Sequence, residues 1–153
     1  RIQRPFDKEL KAKAEIAMAQ TRKNREELEI VKLKTIYEEL TNLDNYVGIT
    51  NMQMIGDIGY GRKFNTKEIP SNLGYNSLKM HIDFYAPELA NDFETLDRLC
   101  LQFAELVGQF ILNFRANDEE KKDFLVKGAA FTKAIQNEIK KLKTKLGTQV
   151  NAK

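Results

Sequence analysis

The sequence contains few of the residues that build disulfide bonds, metal sites or catalytic triads. Its 153 residues include one cysteine, Cys100, one histidine, His81, and no tryptophan. A single cysteine excludes an intrachain disulfide bond, and a zinc site needs several cysteine or histidine ligands. The Glu-x-x-His motif, through which helical bundles bind two metal ions, is also missing. We therefore expect this chain to hold no metal and no cofactor.

Proline and long apolar runs are equally scarce. Only three prolines occur, and Lys, Glu, Leu and Ala dominate the long segments, a composition that favours α-helix. The longest uncharged run, residues 45–56, is much shorter than the ~20 apolar residues of a membrane-spanning helix. Hydrophobic residues at 42% and charged residues at 31% are typical of a folded domain. The net charge of +3 is too small to indicate a nucleic-acid partner by itself.

The spacing of apolar residues predicts an all-α fold, an elongated bundle of three to four helices with a long N-terminal helix. That first helix is expected over residues 7–46, which contain neither proline nor glycine. Apolar side chains in its second half recur every three or four residues, as on a helix face that packs against a core. Its first half has few apolar side chains. Because forty helical residues reach about 60 Å, we expect the first half to project as a linker or to pair with a partner chain.

The remaining elements are predicted from the rest of the sequence, and the whole chain, residues 1–153, is interpreted as one domain. Residues 47–76 are expected to form an irregular, glycine-rich insertion, followed by a short helix over 77–85. Helices over 87–115 and 118–146 should form an antiparallel hairpin, because the link between them is very short. A tail over 147–153 is expected after them, since glycine commonly follows the last turn of a helix.

A glycine-rich stretch after the first helix is one candidate binding site. It contains Gly56, Gly59 and Gly61, followed by Arg62 and Lys63. A phosphate loop follows a strand, precedes a helix and ends in Gly-Lys-Ser/Thr, and this sequence has neither that context nor that ending. We favour a loop that needs room to bend. A small-ligand or nucleotide sensor that uses this loop is retained as an alternative function.

A cluster of lysines near the C-terminus is the other candidate, and it consists of Lys140, Lys141, Lys143 and Lys145. Neighbouring apolar residues should face the core, so these cations should point towards water. The favoured interpretation is an ordinary solvated helix end, and the sharper one is contact with an anionic membrane surface. Nucleic acid is a further alternative, but the aromatic residues that single-strand binders place among their basic residues are missing here.

The sequence shows no catalytic arrangement. Cys100 lies within an apolar helical stripe, where a thiol is typically a small core residue. We therefore predict a non-enzymatic helical interaction or oligomerisation module, whose first helix binds a protein partner or a second copy. Arg1 and Arg4 before Pro5 would suit the cytosolic flank of a membrane helix. We expect a cytoplasmic protein, with the cytosolic face of a bacterial membrane as the alternative location.

Overall fold

The computed structural model describes residues 4–62, 75–113 and 115–152. These residues form helices joined by turns, and none of them lies in a strand. The predicted all-α bundle with a long N-terminal helix is confirmed. The elements in chain order are α1 (Pro5–Tyr46), a π-helical segment (Val47–Asn51), α2 (Met52–Gly59), α3 (Tyr75–Tyr85), a 3-10 turn (Pro87–Leu89), α4 (Ala90–Leu112) and α5 (Asp118–Asn151).

The core contains buried side chains from the second half of α1, from α4 and from α5. Leu33, Ile36 and Leu40 on α1 are at most 1% exposed, and their spacing places them on one helix face. Each such side chain contributes roughly 1.5–3 kcal/mol through burial. α5 runs antiparallel to α1 and places Lys143 over the ring of Tyr37. Buried side chains on the two other core helices are Phe93, Leu96, Phe103 and Val107 on α4, and Phe124, Ile135, Ile139, Leu142 and Leu146 on α5.

α4 and α5 form an antiparallel hairpin. The side chain of Asn117 caps α5 by accepting a hydrogen bond from the Glu120 N–H at 2.8 Å, which satisfies one of the free donors of the first turn. Beside this end of the hairpin, the rings of Phe110 and Phe124 stack with their centroids 4.0 Å apart. The capped N-terminus of α5 and the stacked aromatic pair therefore stabilise the end of the hairpin at which the two helices are connected.

The glycine-rich insertion predicted over residues 47–76 is not found where the structure describes it. The chain stays helical from Val47 through Gly59. The glycines there serve close packing, because a Cβ on Gly59 would lie 2.5 Å from Leu125 Cδ2 of α5. Ile55 of α2, 2% exposed, packs onto α5 in the same way. Burial of this kind offsets the roughly 1 kcal/mol that each glycine costs in a helix. Residues 63–74 of the predicted insertion lie outside the described residues.

The ends of the later helices also differ from those predicted. α3 begins at Tyr75, and α4 ends at Leu112. The predicted tail over 147–153 is wrong as far as Asn151, because α5 continues through Gly147. Val150 packs against the core and holds this last part of the chain in the helix.

Candidate functional site

The glycine-rich stretch forms the C-terminal end of α2. Gly56 lies inside the helix, and Gly61 follows the last turn with a φ of 70°. The N–H of Gly61 donates to the carbonyl of Ile58 at 3.1 Å, and the N–H of Arg62 donates to the carbonyl of Asp57 at 2.6 Å. These two hydrogen bonds make a Schellman motif, in which glycine adopts the left-handed conformation without a Cβ penalty.

The N–H groups and the guanidinium that a phosphate site would need already have partners within the chain. Anion sites use free N–H groups at a helix N-terminus, whereas this stretch lies at a C-terminus, which carries partial negative charge. The guanidinium of Arg62 binds the Asp57 carboxylate at 3.2 Å and lies over the Tyr60 ring. Gly59 is occupied by packing against α5. Lys63 lies outside the described residues. The described geometry thus gives the sensor alternative no support.

The lysine cluster is largely engaged inside the molecule. Lys141 and Lys145 on α5 both bind Asp92 in the first turn of α4, with Lys141 Nζ 3.5 Å from the carboxylate. The hydrogen bond from Lys145 is the main reason that the pKa of Asp92 is lowered, and the positive charges of both lysines act in the same direction. The pair therefore joins the two helices of the hairpin at the end opposite their connecting turn.

The other two lysines lie beside a groove between α1 and α5. Lys143 Nζ is 4.8 Å from the centroid of the Tyr37 ring, a distance suited to a cation–π interaction. Lys140 lines the same groove of about 610 Å³, together with Asp44 of α1. The four lysines consequently fall into two pairs, one bound to Asp92 and the other beside the groove, and do not form one continuous basic face.

His81 and Cys100 belong to different clusters. His81 Nδ1 lies 2.9 Å from Glu39 Oε1, and the Ser77 hydroxyl donates to the same oxygen at 3.4 Å. These contacts join α3 to α1. Glu39 Oε2 is buried and has no hydrogen-bond partner among the described residues. The group holds two helices together, and its serine hydroxyl donates to the Glu39 carboxylate.

Cys100 lies on α4 beside Asp97 and Tyr75. The hydroxyl of Tyr75 donates to Asp97 Oδ1 at 2.5 Å. Burial and, to a smaller extent, the nearby Asp97 charge together raise the pKa of the Cys100 thiol to about 11. Burial, followed by the hydrogen bond to Asp97, also raises the pKa of the Tyr75 hydroxyl. The thiol is therefore protonated at neutral pH, whereas nucleophilic catalysis requires the thiolate.

An acidic cleft of about 470 Å³ lies at the turn of the hairpin. Asn113 Nδ2 donates to Glu120 Oε2 across it at 2.7 Å. Glu119 and Asp123 also line the cleft. Residues 4–62, 75–113 and 115–152 contain no group of three or more His, Cys, Asp or Glu side chains that could hold a metal ion.

The first half of α1 is not covered by any other part of the chain that the structure describes. Residues 4–28 are all exposed, and at 1.5 Å per residue the helical part of this arm is about 36 Å long. We call residues 5–28 the arm. Further along α1, the short helix α3 packs against one side of α1. His81 binds Glu39 there, and Lys32 lies over the Tyr85 ring. The chain then turns into α4 at Ala86, so α3 does not reach the arm.

A heptad pattern runs along one side of the arm. Its outer apolar residues, Leu10, Leu28 and Val31, are 51%, 53% and 56% exposed. Alternating steps of four and three residues are the spacing of a two-stranded coiled coil. We call these positions the arm seam: Leu10, Ala14, Ala17, Thr21, Asn24, Leu28 and Val31. Sequence reasoning missed the seam because its central residues are small or polar, although the unbroken spacing was a visible signal.

Comparison with known protein families, with curated proteins and with solved structures finds no match to this chain. Among the described residues, no helix is both long enough and apolar enough to cross a bilayer. The chemistry of the individual residues is therefore the basis for assigning a function.

Proposed function

We propose that this chain is a non-enzymatic assembly module, and that its arm binds an α-helix of a partner protein through the arm seam. The observation that carries this proposal is the arm itself, a helix of residues 5–28 in which every side chain is exposed. An isolated helix gains little stability in water, because most helical stability in proteins comes from packing an amphipathic face. A partner helix would supply that packing.

The composition of the seam suits a helix as the bound element. Ala14, Ala17 and Thr21 are small, so a second helix can approach the backbone of α1 closely in the middle of the arm. Met18 and Arg22 flank a recess beside these small residues. Leu10 and Leu28 lie at the two ends, where larger apolar side chains can fill the space between two helices. The seam therefore resembles a small-residue coiled-coil face bounded by two leucine layers.

The titratable groups support a non-enzymatic role. The Cys100 thiol has its pKa raised by burial, and His81 is engaged by Glu39 in holding α3 on α1. Asp92, which binds two of the four lysines, joins α4 to α5. Each of these groups has a structural partner, whereas the seam has none within the described residues.

In-cell photo-crosslinking tests this function with a matched pair of alanines. A photoreactive amino acid replaces Ala17, which lies on the seam, or Ala19, which lies about 160° away around the helix. Both residues are exposed and neither touches the bundle, so neither replacement should affect folding. The experiment uses the full chain in its own host, and the products are separated by mass.

We expect a discrete crosslinked product from position 17 and none from position 19. That result would show a face-specific contact, because both positions carry the same reactive group on the same helix. Equal labelling at the two positions, or no product at either, would contradict the proposed function.

A further inference from the structure

We propose that the helix bound by the arm is the arm of a second copy of this chain, lying antiparallel to the first. This inference rests on the proposed function and names the partner at that surface. In the proposed register Leu10 of one chain packs against Leu28 of the other, and Ala17 packs against Thr21. The two-fold axis passes between the arms near their midpoint.

The antiparallel direction follows from the position of α3. Ser77 and His81 lie beside Glu39, whereas Tyr85 lies beside Lys32. α3 therefore runs antiparallel to α1 and ends where the exposed part of the seam begins. A second copy in the antiparallel direction continues the line of α3 along the arm. Its positive N-terminal end then faces the negative C-terminal end of α3, which is the favourable arrangement of two helix dipoles.

A parallel pair of arms is disfavoured by contacts at the C-terminal end of α3. Two parallel arms would bring both bundles to one end, with each α3 on the side that faces the partner. In a parallel pair, Glu27 of one chain would form a salt bridge with Lys32 of the other, because these residues occupy the two heptad positions that flank the seam. Lys32 Nζ already lies 5.7 Å from the centroid of the Tyr85 ring. The parallel arrangement therefore conflicts with contacts that each chain makes internally.

The six seam residues from Leu10 to Leu28 match themselves when their order is reversed. Leucine layers fall at both ends of the antiparallel pair, and the small residues meet in the middle, where the backbones approach most closely. Asn24 faces Ala14 of the partner, so its amide lies at the edge of a small residue and can reach water. A polar residue at one core position of a coiled coil commonly fixes register.

In this register one flank of the seam carries complementary charges, and the other flank carries like charges. Lys13 lies opposite Glu27 of the partner, and symmetry repeats the pair. Lys13 also binds Glu9 on its own helix at 3.5 Å, but both side chains are about two-thirds exposed or more, and exposed pairs of this kind contribute little stability. Lys11 and Arg25 lie on the other flank as like charges, on long side chains that can extend into water.

Disulfide formation between two single-cysteine chains tests this register. Cys100 is first replaced by alanine, and chains carrying Ala14→Cys are mixed with chains carrying Asn24→Cys. The antiparallel register places position 14 opposite position 24 of the partner. Two copies of position 14 are then ten residues apart along the axis, about 15 Å, whereas a disulfide requires Cα atoms within about 7 Å. Ala12→Cys, on the opposite side of the arm, is the control.

We expect the mixed 14–24 disulfide as the main product, with little of either homodimer and none from the control. Disulfides of 14 with 14 and of 24 with 24 would overturn the antiparallel register in favour of a parallel one. A chain that remains monomeric and forms no disulfide would overturn self-pairing. In that case a face-specific photo-crosslink from position 17 to a different protein would leave the proposed function standing, and its absence would remove both.

Discussion

Replacing Gly128 of α5 with alanine tests how closely α2 and α5 approach each other. A Cβ at this position would lie 3.0–3.1 Å from three side-chain atoms of Ile55, and Ile55 is only 2% exposed. Because a β-branched side chain has restricted rotamers and this one is enclosed, it cannot move aside easily. Overpacking of this kind costs about 1–3 kcal/mol, whereas replacing glycine in a helix gains about 0.5–1 kcal/mol. We expect a net loss of about 1–2 kcal/mol.

The matched control is Gly108→Ala in α4, where a Cβ would meet nothing within 4 Å. This exposed helical position should gain about 0.5–1 kcal/mol, so the two variants should differ by about 2 kcal/mol. Urea unfolding measures both values, provided that the dependence on denaturant is unchanged between variants. Equal stabilisation by the two substitutions would refute the close contact of Gly128 with Ile55.

Three further substitutions or treatments test other parts of the structure. Asp92→Asn should lower the free energy of unfolding by up to about 1 kcal/mol at neutral pH, because Lys141 and Lys145 lose a charged partner. The folded-state pKa of Asp92 is lowered, so this contribution exists above the usual carboxyl pKa and should disappear as the pH falls through the lowered value. Gly61→Ala should lower the free energy of unfolding by about 1 kcal/mol. The cause is the φ of 70°, since no atom lies within 4 Å of the new Cβ. In thermal unfolding, Gly61→Asn should recover part of this loss of stability, because asparagine tolerates the left-handed conformation. Cys100 should react with a maleimide far more slowly than a free thiol at pH 7, and faster as the pH rises towards its pKa of about 11; a rate equal to that of a small thiol would contradict its burial.

The parts of the fold that could be predicted are those with strong local periodicity. The apolar stripe through Leu33, Ile36 and Leu40 predicts both a helix and the face that it buries, because three- and four-residue steps return to one side. The region after Tyr46 could not be predicted in this way. Its glycines suggest a break locally, whereas the contacts that keep it helical come from Leu125 and Gly128, more than sixty residues further along the chain.

In the candidate sites, too, features of a single helix could be predicted, whereas contacts between helices could not. Sequence reasoning could place four lysines on the exposed side of a helix, but their partners Asp92 and Tyr37 lie on two other helices. Pairing between distant segments is set by tertiary structure and leaves no local pattern. The arm seam is different, because its spacing is present in the sequence and the length of α1 predicts that the arm projects from the bundle. Helical spacing should therefore be assessed for continuity even where the residues are alanine or threonine.

Self-pairing of the arm is the central claim, and the most direct test is sedimentation equilibrium of the full chain over a wide concentration range. We expect a mass that rises with concentration to twice the 17.7 kDa of one chain, and we expect a Leu28→Glu variant to stay at the single-chain mass. A wild-type protein that sediments as one chain at every concentration would contradict self-pairing.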